Sequence, residues 1–279
     1  MLTITTLASG SSGNAALVSS GETHILLDGG ISARRIVTGL RALGVEPDQL
    51  RAILVTHEHH DHISGLPVFT KKRNIPIVAT QATCRCLAEK APNLASLLRV
   101  QEAGTGVQVG ELWVESFSTP HDAADSVGYA ISGDGGRMVL CTDLGYVTPQ
   151  VREAVRGCDL LVCETNYDED WLRSGPYPYS LKQRVMGDRG HLSNEAGAEL
   201  AAMAVESGTR TVILAHLSQE NNTPTHARSV VCRRLAAMGC DPERDIYLEV
   251  APRGELGTSF RLEKGRDRSA FSGKGAAVC

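Results

Sequence analysis

His57-Glu58-His59-His60-Asp61-His62 follows directly on the apolar run Ala52-Ile53-Leu54-Val55. In an extended stretch, side chains at i and i+2 point the same way. His57 and His59 can therefore hold one metal ion while the chain is still extended. If the chain then turns into a helix, Asp61 and His62 leave the strand alternation and can reach a second ion. Imidazole and carboxylate are the donors of zinc, manganese and iron sites. A His-rich polar loop is the plainer reading. The order and spacing of the H-x-H-x-D-H arrangement fit a two-metal site, which composition alone does not explain.

Outward from this stretch, the chain has 279 residues, enough for one large domain or two modest ones. Hydrophobic residues make up 42% and charged residues 22%, ordinary values for a globular chain that buries a core without staples. A net charge of −4 gives no global basic field, which counts against tight nucleic-acid binding but leaves room for a local basic groove. None of the eight cysteines forms a C-x-x-C pair. Cys141, Cys158 and Cys163 lie in or beside apolar runs and read as small buried hydrophobes. Cys84-Arg85-Cys86 reads as helix filler before it reads as a metal or redox site. The segment Met1 to Leu7 lacks the features of a signal peptide, and no apolar run is long enough to span a bilayer. The expected compartment is the reducing cytoplasm, with no membrane association. Oligomeric state is not legible.

Strand-like runs cover Thr3 to Leu7, Ala15 to Ser19, Ile25 to Leu27, Ile53 to Val55 and Pro76 to Ala79. Helices are expected over Ala33 to Leu43, Ile63 to Lys72 and Thr80 to Lys90. A second β-rich block comprises Val107 to Val109, Leu112 to Phe117, Val127 to Ile131 and Met138 to Cys141. Helices near Gln150 to Arg156, Glu195 to Ser207 and Thr225 to Met238 then alternate with strands Leu160 to Cys163, Thr211 to Leu214, Ile246 to Glu249 and Ser259 to Leu262. This pattern predicts an α/β chain: an αββα sandwich of two mixed β-sheets flanked by helices. Residues 1–263 form one domain. From Lys264 to Cys279 the chain is Gly, Ser, Lys and Arg with little to bury, and a disordered tail is expected.

Further polar residues close apolar runs. Asp28 follows Ile25-Leu26-Leu27, His121 follows Phe117-Ser118-Thr119-Pro120, Asp143 follows Val139-Leu140-Cys141-Thr142, and His216 follows Val212-Ile213-Leu214-Ala215. Ends of buried strands are where α/β architectures put chemistry. Any one of these alone is more often a turn residue; four beside an H-x-H-x-D-H point to a site. In this set the chain resembles the metallo-β-lactamase-fold hydrolases. The resemblance implies that His57, His59 and His121 hold one ion, that Asp61, His62 and His216 hold a second, and that Asp143 bridges them. It implies that Asp28 orients the His cluster by hydrogen bonds. The ions expected are two divalent metals, zinc or manganese, with iron also compatible.

Leu160-Leu161-Val162-Cys163-Glu164-Thr165-Asn166 and Gly190-His191-Leu192-Ser193-Asn194 are similar to the nuclease branch that includes tRNase Z. That similarity implies that Glu164 orients His191 and that His191 protonates the departing oxygen. Without it, Glu164 reads as an ion-pair partner and His191 as a polar residue at a helix entrance. With Leu7-Ala8-Ser9-Gly10-Ser11-Ser12-Gly13-Asn14, Pro176 to Arg184 and Leu214 to Asn222 added, the chain closely resembles the YycJ/WalJ family from Leu2 to Leu262. The resemblance implies a metal-dependent phosphodiesterase acting on DNA as a 5′-to-3′ exonuclease. The chain departs from RNase J and related nucleases, which carry a large extra domain between the bridging Asp and the later motifs: Asp143 to Glu164 leaves no room for one.

The expected chemistry is attack on phosphorus by a hydroxide shared between two ions, which lower the pKa of water. Asp61 would also orient the nucleophile. Lys182, Arg184, Arg189, Tyr177 and Tyr179 are candidate substrate contacts, because cations bind phosphates and aromatic faces stack on bases. Their segment, Tyr167 to Arg189, reads equally well as a Pro-broken loop capping the fold. Ser9 to Asn14 could approach a phosphate through backbone N–H groups, though a plain hairpin turn accounts for it. Two rival functions stand: a hydrolase of thioesters, lactones or cyclic phosphodiesters, and a metal-binding regulatory protein without turnover.

Overall fold

The computed structural model describes residues 1–262, so the expected tail lies outside the described residues. In chain order the first strands are β1 (Leu2–Ala8), β2 (Ala15–Ser20), β3 (Thr23–Leu27), β4 (Leu50–Leu54), β5 (Ile77–Ala79) and β6 (Leu98–Val100). Then come β7 (Gly106–Val109), β8 (Leu112–Ser118), β9 (Val127–Gly133), β10 (Gly136–Cys141), β11 (Leu160–Glu164), β12 (Thr211–Ala215) and β13 (Tyr247–Val250). β14 (Ser259–Leu262) returns to the edge of the first sheet, antiparallel to β1. Among the described residues the two sheets have seven strands each, ordered β14-β1-β2-β3-β4-β5-β6 and β13-β12-β11-β10-β9-β8-β7. Both are mixed: β3 to β6 pair in parallel and β10 to β13 pair in parallel, while the rest are antiparallel.

The central strands read as unbroken apolar runs because both of their faces are buried. Period-two alternation then divides their side chains between layers. Ile25, Leu27, Leu54, Met138, Leu140, Leu160 and Val162 meet between the sheets. Leu26 and Ile53 face the outer layer of α1 (Ala33–Ala42), α3 (Leu66–Phe69) and α4 (Gln81–Lys90). Val139, Cys141, Leu161 and Cys163 face the layer of α5 (Pro149–Val155), α8 (Asn194–Glu206) and α9 (Pro224–Ala237). The three cysteines expected inside are buried and free. Helix starts follow side-chain capping: Thr148, Ser193 and Thr223 accept from Val151, Ala196 and His226 N–H.

Two expectations are corrected. The helix expected over Ile63 to Lys72 is two short ones, α2 (His60–Ile63) and α3. Gly65 separates them. Its N–H donates to Gly29 O at 2.8 Å, and Pro67 lies in the first turn of the second helix, where a missing N–H costs nothing. The segment Tyr167 to Arg189 is not a loop but carries α6 (Glu169–Ser174) and α7 (Tyr179–Met186). Its prolines lie outside these helices, between α6 and α7. Asp168 caps α6 through Trp171 N–H at 2.9 Å, and Pro178 immediately precedes α7. The three-residue strand β6 was not anticipated.

Candidate metal centre and proton-donating pair

The parallel strands end on one edge of the sandwich, and the candidate residues lie in the segments that follow, Asp61 and His62 on the short helix α2. Asp28 follows β3, the His57–His62 stretch follows β4, Asp143 follows β10, and His216 follows β12. Asp28, Asp143 and His216 have φ of 55°, 60° and 56°, and no other non-glycine residue described has positive φ. Left-handed backbone is uncommon outside glycine, even for Asp and His, which tolerate it best, and it concentrates where structure serves a site. Gly30 lets its segment press on α2: a Cβ there would meet Asp61 O at 1.6 Å.

This geometry gathers His57, His59 and His121 in one group, with one candidate donor atom from each within 4.8 Å of the others. Asp61, His62 and His216 form a second such group, and Asp143 joins His57 and His62, one member of each. Asp143 Oδ1 is 3.8 Å from His121 Nε2, and Oδ2 is 3.4 Å from His62 Nε2. One carboxylate thus reaches toward both groups.

Outer hydrogen bonds fix the rings. His62 Nδ1 donates to Asp28 Oδ2 at 2.8 Å, and Asp28 Oδ1 accepts from Thr56 N–H at 2.9 Å. His121 Nδ1 donates to Gly190 O at 3.0 Å. His57 Nδ1 lies 3.0 Å from Thr56 Oγ1. These contacts turn the Nε2 atoms inward. His57 Nε2 and Asp143 Oδ2 are buried and have no hydrogen-bond partner. Buried polar atoms are rarely left so. With the histidine and carboxylate donor set, the orphans show that the residues fit divalent cations such as zinc or manganese.

The two groups differ electrostatically. Burial holds His57 well below its ordinary pKa, reinforced by the charge on His62, and burial also lowers His121. For His62, burial is outweighed by Asp143 and Asp28, which hold it well above the ordinary value. For His216, burial is outweighed by Asp143, Asp61 and Glu164, which push it up to about 10. Asp61 and Asp143 are held well below the carboxylate range despite burial, by His216 and His62 in each case. The carboxylates that raise His62 and His216 thus favour positive charge at this end of the cluster, as a cation would supply.

Glu164 closes β11 in parallel register with Ala215 and is fully buried. Its Oε1 accepts from His191 Nδ1 at 2.8 Å and from His216 Nδ1 at 3.0 Å. Its Oε2 accepts from Leu144 and Leu192 N–H at 3.1 and 3.2 Å. Burial opposes its charge, but these histidines lower its pKa. His191 is 20% exposed at the rim, with Nδ1 3.7 Å from Asp143 Oδ1. Gly190 makes its approach possible, since a Cβ there would meet Val185 O at 2.1 Å.

A cavity of about 210 Å³ opens over the cluster, bordered by Tyr177, Leu181, Arg184, Asn166 and Ser11. Of the five candidate substrate contacts, Tyr177 and Arg184 line it. Arg189 lines a neighbouring groove of about 720 Å³ with Tyr146, and its Nε donates to His121 O at 3.0 Å. Lys182 and Tyr179 line neither; Lys182 Nζ donates to Arg173 O at 2.7 Å, and Tyr179 is 77% exposed. Several side chains at the site had no role of their own in the sequence reading. Asn14 Nδ2 lies 3.3 Å from Asp61 Oδ2, Ser9 Oγ accepts from His216 N–H at 2.9 Å, and Asn166 Nδ2 donates to His216 O at 2.7 Å. Ser9 to Asn14 is a hairpin turn between β1 and β2, as expected, and it also buttresses the site. Asp122, which pairs with Arg184, was missed although it directly follows His121.

Residues 23–217 match the model of the beta-lactamase superfamily domain. The chain is 35% identical over 234 residues to a Bacillus anthracis protein named exodeoxyribonuclease YycJ, covering 84% of this chain and 89% of that one. It is 37% identical to a Streptococcus pneumoniae protein named exodeoxyribonuclease WalJ, covering 82% of this chain and 87% of that one. The solved metallo-beta-lactamase fold protein YhfI from Bacillus subtilis superposes with a TM-score of 0.70 over 93% of this chain and 98% of that one, at 16% identity.

Proposed function

Since the chain belongs to the YycJ/WalJ family of metallo-β-lactamase-fold hydrolases, we propose that this metal-dependent hydrolase is a binuclear phosphodiesterase that degrades DNA from the 5′ end. The observation that carries the phosphodiester reading is the Glu164–His191 pair at the rim of the His/Asp cluster. His57, His59 and His121 would hold one ion, Asp61, His62 and His216 the other, with Asp143 shared. When bound, such ions supply Lewis acidity that makes water nucleophilic near neutral pH and offsets phosphate charge.

The chain's own groups do the rest. Glu164 occupies His191 Nδ1, which leaves Nε2 to give a proton to the departing oxygen. Asp61, 23% exposed toward the cavity, orients the attacking water. Arg184 supplies positive charge for a phosphate, and Tyr177 offers a ring face to a base. The DNA preference rests on the relatives' names and the direction on the family resemblance. A substrate panel tests the reading: linear DNA, RNA, bis-p-nitrophenyl phosphate and a thioester, each with a metal titration. Metal-dependent hydrolysis of DNA is expected. Turnover of the thioester alone would make the protein a small-molecule hydrolase, and no turnover with metal bound would favour a regulatory role.

A further inference from the structure

In the His/Asp cluster, four imidazoles have an outer partner at hydrogen-bond distance: His57 with Thr56, His62 with Asp28, His121 with Gly190 O, and His216 with Glu164. His59 is arranged differently. Its Nδ1 faces inward, 3.2 Å from His121 Nε2. Its Nε2 faces Asp122 Oδ1 at 3.8 Å. That oxygen is buried and accepts no hydrogen bond, while Oδ2 accepts from Arg184 Nε. An imidazole that offers Nδ1 to a cation carries its proton on Nε2. The atom facing that proton is Asp122 Oδ1, which also lies 3.5 Å from His121 Nε2. His121 carries its proton on Nδ1, toward Gly190 O, so the proton within a small shift of Oδ1 is the one on His59 Nε2.

Arg184 belongs to α7, a helix with no buried residue. α7 nevertheless borders the cavity through Leu181, Arg184 and Val185. With so little apolar burial, its position depends on polar ties such as Arg184 to Asp122 and His191 N–H to Val185 O at 3.0 Å. The cluster and this helix therefore meet at one carboxylate.

We infer that Asp122 is a positioning residue for His59, and that through Arg184 it couples the placement of α7 over the cavity to cation affinity at the His57–His59–His121 group. The inference rests on the metal-centre reading above. Partners of ligating imidazoles typically contribute about 10–100-fold in metal affinity. Arg184 acts one step further out, so its removal has the smaller effect, and that effect vanishes once Asp122 is gone.

The test is a zinc titration, against a chromophoric chelator, of chelator-treated wild type, Asp122→Ala, Asp122→Asn, Arg184→Ala and the Asp122→Ala/Arg184→Ala double variant. Asp122→Ala is expected to weaken one of two bound ions by about 10–100-fold and to spare the other. Asp122→Asn keeps an oxygen acceptor, so it should retain part of that affinity, and it serves as the probe if the alanine variant does not fold. Arg184→Ala should weaken the same ion less, and the double variant should match Asp122→Ala. Unchanged affinity in both Asp122 variants, or losses that add in the double variant, overturns the inference. Failure of the wild type to bind zinc is a separate outcome and overturns the metal-centre reading itself.

Discussion

Glu164 Oε1 receives Nδ1 of His216 at 3.0 Å, and the same oxygen receives Nδ1 of His191 at 2.8 Å. One buried carboxylate thus orients a candidate ligand and the candidate proton donor. Glu164→Gln cannot keep all four contacts. With its oxygen toward both imidazoles, its NH2 would face the Leu144 and Leu192 N–H donors; flipped, it would face both imidazoles with the NH2. We predict a loss of metal affinity at the Asp61–His62–His216 group of about 10–100-fold, together with slower turnover. Elemental analysis and zinc competition check this. Slower turnover with metal affinity intact would mean that His216 does not depend on Glu164.

His191→Ala is predicted to leave metal content unchanged, since His191 is not needed to complete either three-residue group. Hydrolysis of DNA, whose leaving alkoxide needs a proton, should fall by about 10²–10⁴. Hydrolysis of bis-p-nitrophenyl phosphate should fall much less, because p-nitrophenolate leaves unaided. Steady-state rates on the two substrates decide the matter. An equal loss on both, or a loss of metal, contradicts the role.

The raised pKa values of His62 and His216 predict a pH dependence for the metal-free protein and for its loading. Their folded values lie above the unfolded value of 6.5, so the stability they contribute is fully present below pH 6.5 and fades as pH rises toward about 10, where His216 titrates. Cations need neutral imidazole and must displace these protons. Affinity at the Asp61–His62–His216 group should therefore climb with pH throughout the range below the folded values, by about tenfold per unit for each displaced proton. His57 and His121, lowered by burial, are already neutral, so the other group should respond less. Zinc titrations at several pH values, with proton release measured in parallel, check the contrast. A pH-independent second affinity contradicts it.

Lys182 is the cleanest probe of DNA contact, because it touches neither candidate metal group. Lys182→Ala should flatten the salt dependence of DNA binding, lowering the log–log slope by about 1. Its hydrolysis of bis-p-nitrophenyl phosphate should stay at the wild-type rate. Arg184→Ala and Arg189→Ala should affect both readouts, since Arg184 pairs with Asp122 and Arg189 holds the backbone of His121. An unchanged slope in Lys182→Ala removes that residue from the DNA path.

Much of this was legible because the informative residues are consecutive or close buried runs. His57 to His62 announces itself by spacing, and Asp28, Asp143 and His216 by ending apolar strands buried on both faces. The two-layer sandwich follows from the same runs. Less was legible where the signal is tertiary. Asp122, Asn14 and Ser9 act through neighbours distant in sequence, and a lone Asp, Asn or Ser in a turn looks the same with or without such a partner. The helices between Tyr167 and Arg189 were obscured by prolines, which mark helix starts as readily as loops. The double duty of Glu164 depends on β11 and β12 lying side by side in parallel, a pairing that no local pattern states.

Two-metal phosphodiester hydrolysis makes activity follow the second ion, which a single titration can read. Chelator-treated protein is reloaded stepwise with zinc or manganese, and each sample is divided between elemental analysis and an assay on 5′-labelled linear DNA. Release of label is expected to rise as a second ion fills each chain and to be absent in Asp143→Ala, which loses metal and activity together. Full DNA hydrolysis with no more than one ion per chain, or no hydrolysis with two ions bound, would contradict it.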